Sequence, residues 1–295
     1  MIAHLPPSLT TPDYSEFLAA LKTNGFKGEV GTDYASRTVL ATDNSIYQRL
    51  PQAVIFPLDQ DDVACVARLM SALTHRGIKL TARGGGTGTN GQSLTDGIVV
   101  DLSRHMNKIL EIDPQGRRVR VQAGVVKDQL NAALKPHGLF FAPELSTSNR
   151  ATIGGMVNTD ASGQGSCTYG KTRDHVIELH SILLGGEPLH SRPLSEDELE
   201  RECARGDRVG QVHRVVRGIH ADKADLIEAR FPKLNRCLTG YDLAHIRDDD
   251  GRFNLNSVLC GAEGSLGFVV EAMLNVLPIP EYSVLVNVRY ASFMD

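Results

Sequence analysis

Five glycines fall within eight residues in the stretch Arg83-Gly84-Gly85-Gly86-Thr87-Gly88-Thr89-Asn90-Gly91. The last six of these residues match G-x-G-x-x-G in form. A dinucleotide-binding turn, however, must open a helix and be followed about twenty residues later by an acid. Here the loop runs on through Gln92-Ser-Leu-Thr-Asp-Gly97, which is turn chemistry, into the apolar run Ile98–Leu102. The context is strand–loop–strand, and the Rossmann reading fails on it. Glycine-rich backbone in such a loop can turn several amides toward one anion, and Thr87, Thr89 and Asn90 add side-chain donors. Each hydrogen bond to a charged acceptor contributes about 1.5–3 kcal/mol, so a few together hold a pyrophosphate firmly. The alternative is a flexible glycine linker, but linkers of that kind seldom lie between two apolar strands.

Two further clusters have the same character. Residues 151–163 read Ala-Thr-Ile-Gly-Gly-Met-Val-Asn-Thr-Asp-Ala-Ser-Gly, preceded by Pro143-Glu-Leu-Ser-Thr-Ser148. Residues 261–267 read Gly-Ala-Glu-Gly-Ser-Leu-Gly. Gly154 and Gly155 offer bare backbone, while Asn158, Thr159 and Ser162 are small polar groups suited to ribityl or phosphate oxygens. Any one cluster could be a simple loop. Three in one domain point to a long, extended ligand touched at several places.

The elements around these clusters follow from periodicity. Residues 12–24 form a short amphipathic helix stopped by Gly25, and an irregular stretch follows to Leu50. Ala53–Phe56 is a strand, residues 61–76 a helix whose opening acids suit the positive end of its dipole, and 78–81 a second strand, giving a β-α-β unit. Strands are expected at 98–102, 108–113 and 118–123, the last two joined as a hairpin at Pro114-Gln-Gly116. A helix over 127–135 and a strand over 176–184 come next, with Gly185-Gly186 turning the chain back. Ser195 and Glu198 make a capping box ahead of charged helical segments that reach about Arg230. A strand region over 267–277 and another over 282–290 complete the reading, with 291–295 as the beginning of a helix. The fold class is α+β in two lobes: a small one, 51–105, with the β-α-β unit, and a larger one, 106–280, with a mixed or antiparallel sheet. Residues 1–50 precede the lobes, 281–295 begin a further domain, and the extended ligand is expected along the seam.

Composition bounds the rest. A hydrophobic content of 41%, a charged content of 22% and a net charge of −4 suit an ordinary globular protein and supply no basic face for nucleic acid. No apolar run is long enough to span a membrane, and the N-terminus lacks the basic start and apolar core of a signal peptide. Five scattered cysteines without a CxxC pair argue against a disulfide framework, a zinc ribbon or an iron–sulfur cluster. Buried free thiols in a cytoplasmic protein are expected instead, Cys167 among them.

Asp43-Asn-Ser-Ile-Tyr47, RGGGTGTNG, ATIGGMVNTDASG, Tyr169-Gly-Lys-Thr-Arg-Asp-His-Val176 and GAEGSLGFVVEA occur in the order in which they stand in the FAD-linked oxidases. Over roughly 40–290 the chain resembles these flavoproteins, which have the fold of p-cresol methylhydroxylase and vanillyl-alcohol oxidase, and in particular their D-2-hydroxyglutarate and D-lactate dehydrogenase branch. The resemblance implies that residues 83–91 (Arg83, Gly84, Gly85, Gly86, Thr87, Gly88, Thr89, Asn90 and Gly91) cradle the FAD pyrophosphate. It places Pro143, Thr147, Thr152, Gly154, Gly155, Asn158 and Ser162 along the flavin and ribityl chain, and Glu263, Gly267 and Val269 near the nucleotide. The usual second motif ends Asn-Ala-Gly-Gly, whereas this chain has Asp160-Ala-Ser-Gly163. No histidine stands in the glycine loop, so FAD is expected to be non-covalent.

Oxidation of a 2-hydroxy acid needs a hydride acceptor, a base for the hydroxyl proton and an arginine to clamp the carboxylate. In the resembling dehydrogenases the clamp, the base and a divalent metal come mainly from a later substrate domain. The long members add an iron–sulfur region, so this chain is expected to be the FAD-binding, N-terminal part of a longer one. Within it, Arg236 and Tyr241 are candidates to face substrate, with an ordinary surface or packing role as the alternative. His175 and His180 lie five apart in a predicted strand and point to opposite faces, so no metal site is expected. A flavin subunit of another oxidoreductase, or a module that only relays electrons, is the alternative function.

Overall fold

In the computed structural model the chain is described over residues 14–234, 240–282, 284–292 and 294. The small lobe begins before residue 51. Helix α1 (Tyr14–Thr23) buries Phe17 and Leu21, strand β1 (Glu29–Gly31) follows, and helix α2 (Tyr34–Val39) is capped by Asp33, whose carboxylate accepts from the Ser36 amide. The stretch expected to be irregular therefore carries two elements. Strand β2 (Ala53–Phe56) is buried at every position, as a strand covered on both faces must be. Helix α3 (Gln60–Met70) starts where Asp59 caps the amides of Asp61 and Asp62, and it ends six residues sooner than its periodicity suggested. The Ser71 hydroxyl donates back to the Arg68 carbonyl, and Leu73–His75 tightens into a 3-10 turn that sets His75 edge-on against Phe17.

Strands β3 (Leu80–Arg83) and β4 (Ile98–Asp101) lie parallel and adjacent, joined by the glycine loop with no helix in it. The four-stranded order is β1-β2-β4-β3, with β1 antiparallel to β2 and the other pairs parallel. Phe17, Ile55, Val63, Val66, Ile98 and Val100 form the core between this sheet and its helices.

The larger lobe contains β5 (Ile109–Asp113), β6 (Arg118–Gln122), α4 (Lys127–Leu134), β7 (Leu139–Phe140), α5 (Ile153–Thr159), α6 (Ser166–Tyr169), β8 (Val176–Ile182) and β9 (Pro188–Ser191). It continues with α7 (Glu196–Cys203), α8 (Arg208–Arg230), α9 (Asn256–Leu259), β10 (Phe268–Asn275) and β11 (Leu277–Pro278), the last paired with β7. Its five-stranded sheet is antiparallel throughout, in the order β5-β6-β10-β8-β9. Val119, Val121, Leu179, Leu189, Ala272 and Leu274 face the helices and form the second core. Ile182 and Val270, at the near ends of β8 and β10, belong instead to the small-lobe core. The Gly185 amide donates to the Ala67 carbonyl of α3 at 3.1 Å, so the β8–β9 turn fastens one lobe to the other.

Among the described residues, 282–290 form no strand, and Val284, Val286 and Val288 are exposed, so the apolar alternation there is not satisfied by a sheet. No helix of the described residues is long and apolar enough to cross a membrane.

Candidate functional site

A cleft of about 380 Å³ lies along the seam between the lobes. The small lobe lines it with Arg83, Gly84, Gly85, Gly86, Thr87, Gly88 and Thr89. The large lobe adds Thr147, Thr152, Gly154, Gly155, Asn158 and Ser162, together with Glu263, Gly267 and Val269. The three clusters of the sequence thus meet at one place. Asn90, Gly91 and Pro143 do not line the cleft. Gly91 has positive φ and packs against the Tyr47 ring, and the Asn90 amide donates to the Gln92 side chain.

The glycines bring backbone to backbone. A Cβ at Gly84 would run into the Thr152 hydroxyl, one at Gly85 into the Arg150 carbonyl, and one at Gly154 would stand 2.8 Å from the Ala123 Cβ. With this close approach the loop presents main chain to the cleft. Among the described residues, no acceptor pairs with the amides of Gly85, Gly86, Thr87, Gly88 or Thr89. These amides open on the cleft and are available to a ligand, and a run of convergent donors fits the anionic diphosphate of a dinucleotide.

The second cluster behaves differently. It is a helix, α5, although its paired glycines disfavour one. Thr152 caps it, accepting from the Gly155 amide at 3.3 Å. The amides of Ile153 and Gly154 donate to Val125 and Ala123, so Gly154 and Gly155 contribute close approach and not free donors. Asn158 is likewise occupied: its amide donates to the Gly154 carbonyl and its oxygen accepts from the Gly264 amide at 3.0 Å. Its work is to stitch α5 to the third cluster. Glu263 sits in that stitched loop with positive φ, and partial desolvation raises its carboxyl pKa. Arg83 is buried, and its guanidinium reaches the Leu40 and Thr42 carbonyls, so it braces the loop from behind.

The departure at Asp160 has a physical reason that the sequence did not signal. Asp160 ends α5 in the left-handed conformation, is buried, and pairs with Lys171 at 3.1 Å and with Arg173, whose amide also donates to it. Arg173 pairs onward with Asp242, which also holds His245. An asparagine here would remove the carboxylate that pairs with buried Lys171 and shares Arg173 with Asp242, a loss that is costly for charges held away from water. The network anchors 160–162, the far wall of the cleft, to the segment ahead of β8.

The substrate candidates are not gathered in the same way. Arg236 lies outside the described residues. Tyr241 is half-exposed, does not line the cleft, and shares a 2.7 Å hydrogen bond with the Ser265 hydroxyl at its rim. His175 is in a 3-10 turn and not in the strand, with Nε2 against the Tyr169 carbonyl. Cys65, Cys203 and Cys260 are buried and free as expected, but Cys167 is exposed, because α6 is a single surface turn that points its side chain outward.

Comparison with known proteins agrees with this geometry. Residues 51–192 match the model of the FAD binding domain family. The whole chain is 74% identical to D-2-hydroxyglutarate dehydrogenase of Pseudomonas putida, of which it covers 29%. Over 94% of its length it is 52% identical to the Escherichia coli protein of that name, covering 27% of it. The chain therefore spans under a third of the length of these two relatives. An alkyldihydroxyacetonephosphate synthase structure superposes on 95% of the chain, over 42% of its own length, with a TM-score of 0.63 at 18% identity. The two-lobed α+β fold is shared with that synthase and, at a TM-score of 0.58 and 21% identity, with 6-hydroxy-D-nicotine oxidase of Arthrobacter nicotinovorans, over 86% of this chain and 43% of that one. Through residues 51–192, which carry the glycine loop and the second cluster, the chain is similar to the FAD binding domain family.

Proposed function

We propose that this chain is the FAD-holding part of a dehydrogenase that oxidises a D-2-hydroxy acid of the D-2-hydroxyglutarate class, and that it binds FAD without a covalent link. The observation that carries the reading is the run of unpaired amides from Gly85 to Thr89 at the seam, in a chain 74% identical to a D-2-hydroxyglutarate dehydrogenase. The two-lobed unit runs from α1 to about residue 280, since α1 and β1 belong to the core and sheet of the small lobe. The amides of 85–89 would hold the diphosphate, Thr87 and Thr89 would supplement them, and Thr147 and Ser162, which line the same cleft, would take polar groups of the flavin chain. FAD, when bound, supplies the two-electron acceptor for the hydride of the hydroxy acid. Residues of this chain bind and orient it, and the Asp160 network keeps the wall of the cleft rigid. The base and the carboxylate clamp are assigned to the remaining length of the protein, as is any onward iron–sulfur carrier. The buried free thiols of Cys65, Cys203 and Cys260 and the net charge of −4 support a cytoplasmic enzyme whose partner is a small hydroxy acid and not a nucleic acid.

The test is an absorbance spectrum of the purified chain after incubation with FAD and desalting, followed by acid precipitation. Retained flavin that is released into the supernatant is expected. Colour left in the pellet refutes the non-covalent reading, and a folded chain that retains nothing refutes the cradle. In a protein of the relatives' full length, D-2-hydroxyglutarate should bleach the flavin. A flavin that stays oxidised there would favour a relay module without hydroxy-acid activity.

A further inference from the structure

On the face of the five-stranded sheet turned away from its helices, β8 and β9 bring three donors together that no spacing in the sequence reveals. His180 and His190 are directly opposite in the antiparallel register, with ring centroids 4.4 Å apart. Glu178, two residues before His180 and so on the same face, accepts from or pairs with His190 Nε2 at 2.9 Å. One nitrogen of each imidazole and one carboxylate oxygen all lie within 4.8 Å of one another. None of the three lines the flavin cleft.

We propose that Glu178, His180 and His190 form a binding site for one divalent transition-metal ion, zinc by preference. Two imidazoles and a carboxylate are the donor set that suits zinc and its first-row neighbours, whereas magnesium and calcium favour oxygen ligands throughout. The atoms already stand close enough that small rotamer adjustments bring them around a single ion. His180 and His190 also border a second cleft of about 380 Å³, which leaves room for water at a fourth position. The remaining charges on this face are already committed. Glu271, opposite His180 on β10, is held by Arg120 at 2.7 Å, and Arg192 is held by Glu198 at 2.8 Å, so neither cation displaces the metal from Glu178. Such an ion clips β8 to β9 next to the turn that fastens the lobes together.

The experiment is calorimetric titration of the metal-free 295-residue chain with ZnCl2, with the visible spectrum of the Co2+ form read in parallel. One equivalent should bind. Affinity should fall at least about tenfold in His180→Asn, His190→Asn and Glu178→Gln, given that even outer-shell partners of a metal are worth that much. Each variant should retain FAD as the parent does, which shows that it is folded. Histidine acylation mapped by mass spectrometry on the unmutated chain gives a readout that does not depend on the variants: ZnCl2 should protect both His180 and His190. The proposal is overturned if the parent binds no Zn2+, if the double histidine variant binds equally well, if the Co2+ spectrum shows thiolate charge transfer, or if neither histidine is protected.

Discussion

Gly84 and Gly85 occupy neighbouring positions in the cradle but fail differently when a Cβ is added. At Gly84 the obstacle is the Thr152 hydroxyl, while at Gly85 it is the Arg150 main-chain carbonyl. Gly84→Ala should therefore weaken FAD binding at least about tenfold, roughly 1.4 kcal/mol, and Thr152→Ala in the same chain should recover part of that loss, although it sacrifices the cap of α5. Gly85→Ala should lose at least as much and recover nothing from the same second change. Fluorescence titration of apoprotein with FAD measures all four variants, and equal rescue of both would mean that the loop moves as a whole and is not held against α5. At this scale the types of residue were legible, since only glycine permits such approach. Their individual duties were not. Asn158 and Arg83 line the cleft as expected, but each also has a structural bond to a partner distant in sequence, Gly264 for one and Leu40 with Thr42 for the other, which no local pattern shows.

Helix α7 shows how a local pattern becomes a pH-dependent element. The S-x-x-E box is formed as written: Ser195 accepts from the Glu198 amide, and the Glu198 carboxylate accepts from the Ser195 amide at 2.9 Å. Its other oxygen takes Arg192, and these hydrogen bonds, Arg192 first, hold its pKa near 2 against an ordinary 4.5. A carboxyl depressed in the folded state stabilises fully above its unfolded pKa, so this contribution begins to be lost as pH falls below 4.5 and is gone near 2. Glu198→Gln should lower the melting temperature modestly at pH 6–7, and the gap to the parent should close steadily as the pH is taken below 4.5. Melting curves over that range check the sign, and a gap that widened in acid would refute it. Capping boxes, the β-α-β unit and the 108–123 hairpin were readable because their determinants are near neighbours in sequence. Strand β1 and helix α5 were not. Glu29-Val-Gly31 has too few residues to show a period, and Ile153-Gly-Gly-Met has the composition of a loop and becomes a helix through packing on β10 and Ala123.

For the molecule as a whole, the sequence implied two lobes and a ligand along their seam but did not say what keeps the lobes together. Sheet order depends on long-range pairing, as in the insertion of β4 between β2 and β3, and no window of sequence contains it. The fastening is at Gly186, in the β8–β9 turn, where φ is +88° and an added Cβ would stand 2.7 Å from the Ala64 carbonyl of α3. Gly186→Ala must either strain the turn, at about 1–2 kcal/mol for a left-handed residue, or push α3 away from the large sheet. Gly186 touches none of the cleft, yet α3 belongs to the lobe that carries the glycine loop, so displacement should separate the two walls that hold FAD. The expected result is a melting temperature lower by several degrees, at about 2–4 °C per kcal/mol, together with weaker FAD retention. Saturating FAD should restore much of the lost stability, because a ligand that bridges the lobes at 100 times its Kd adds about 2.7 kcal/mol. Thermal melts of parent and variant with and without FAD decide the matter. A loss of stability with unchanged FAD affinity would mean that the strain stays in the turn and that the Gly185–Ala67 hydrogen bond and the packing of Ile182 and Val270 still hold the seam.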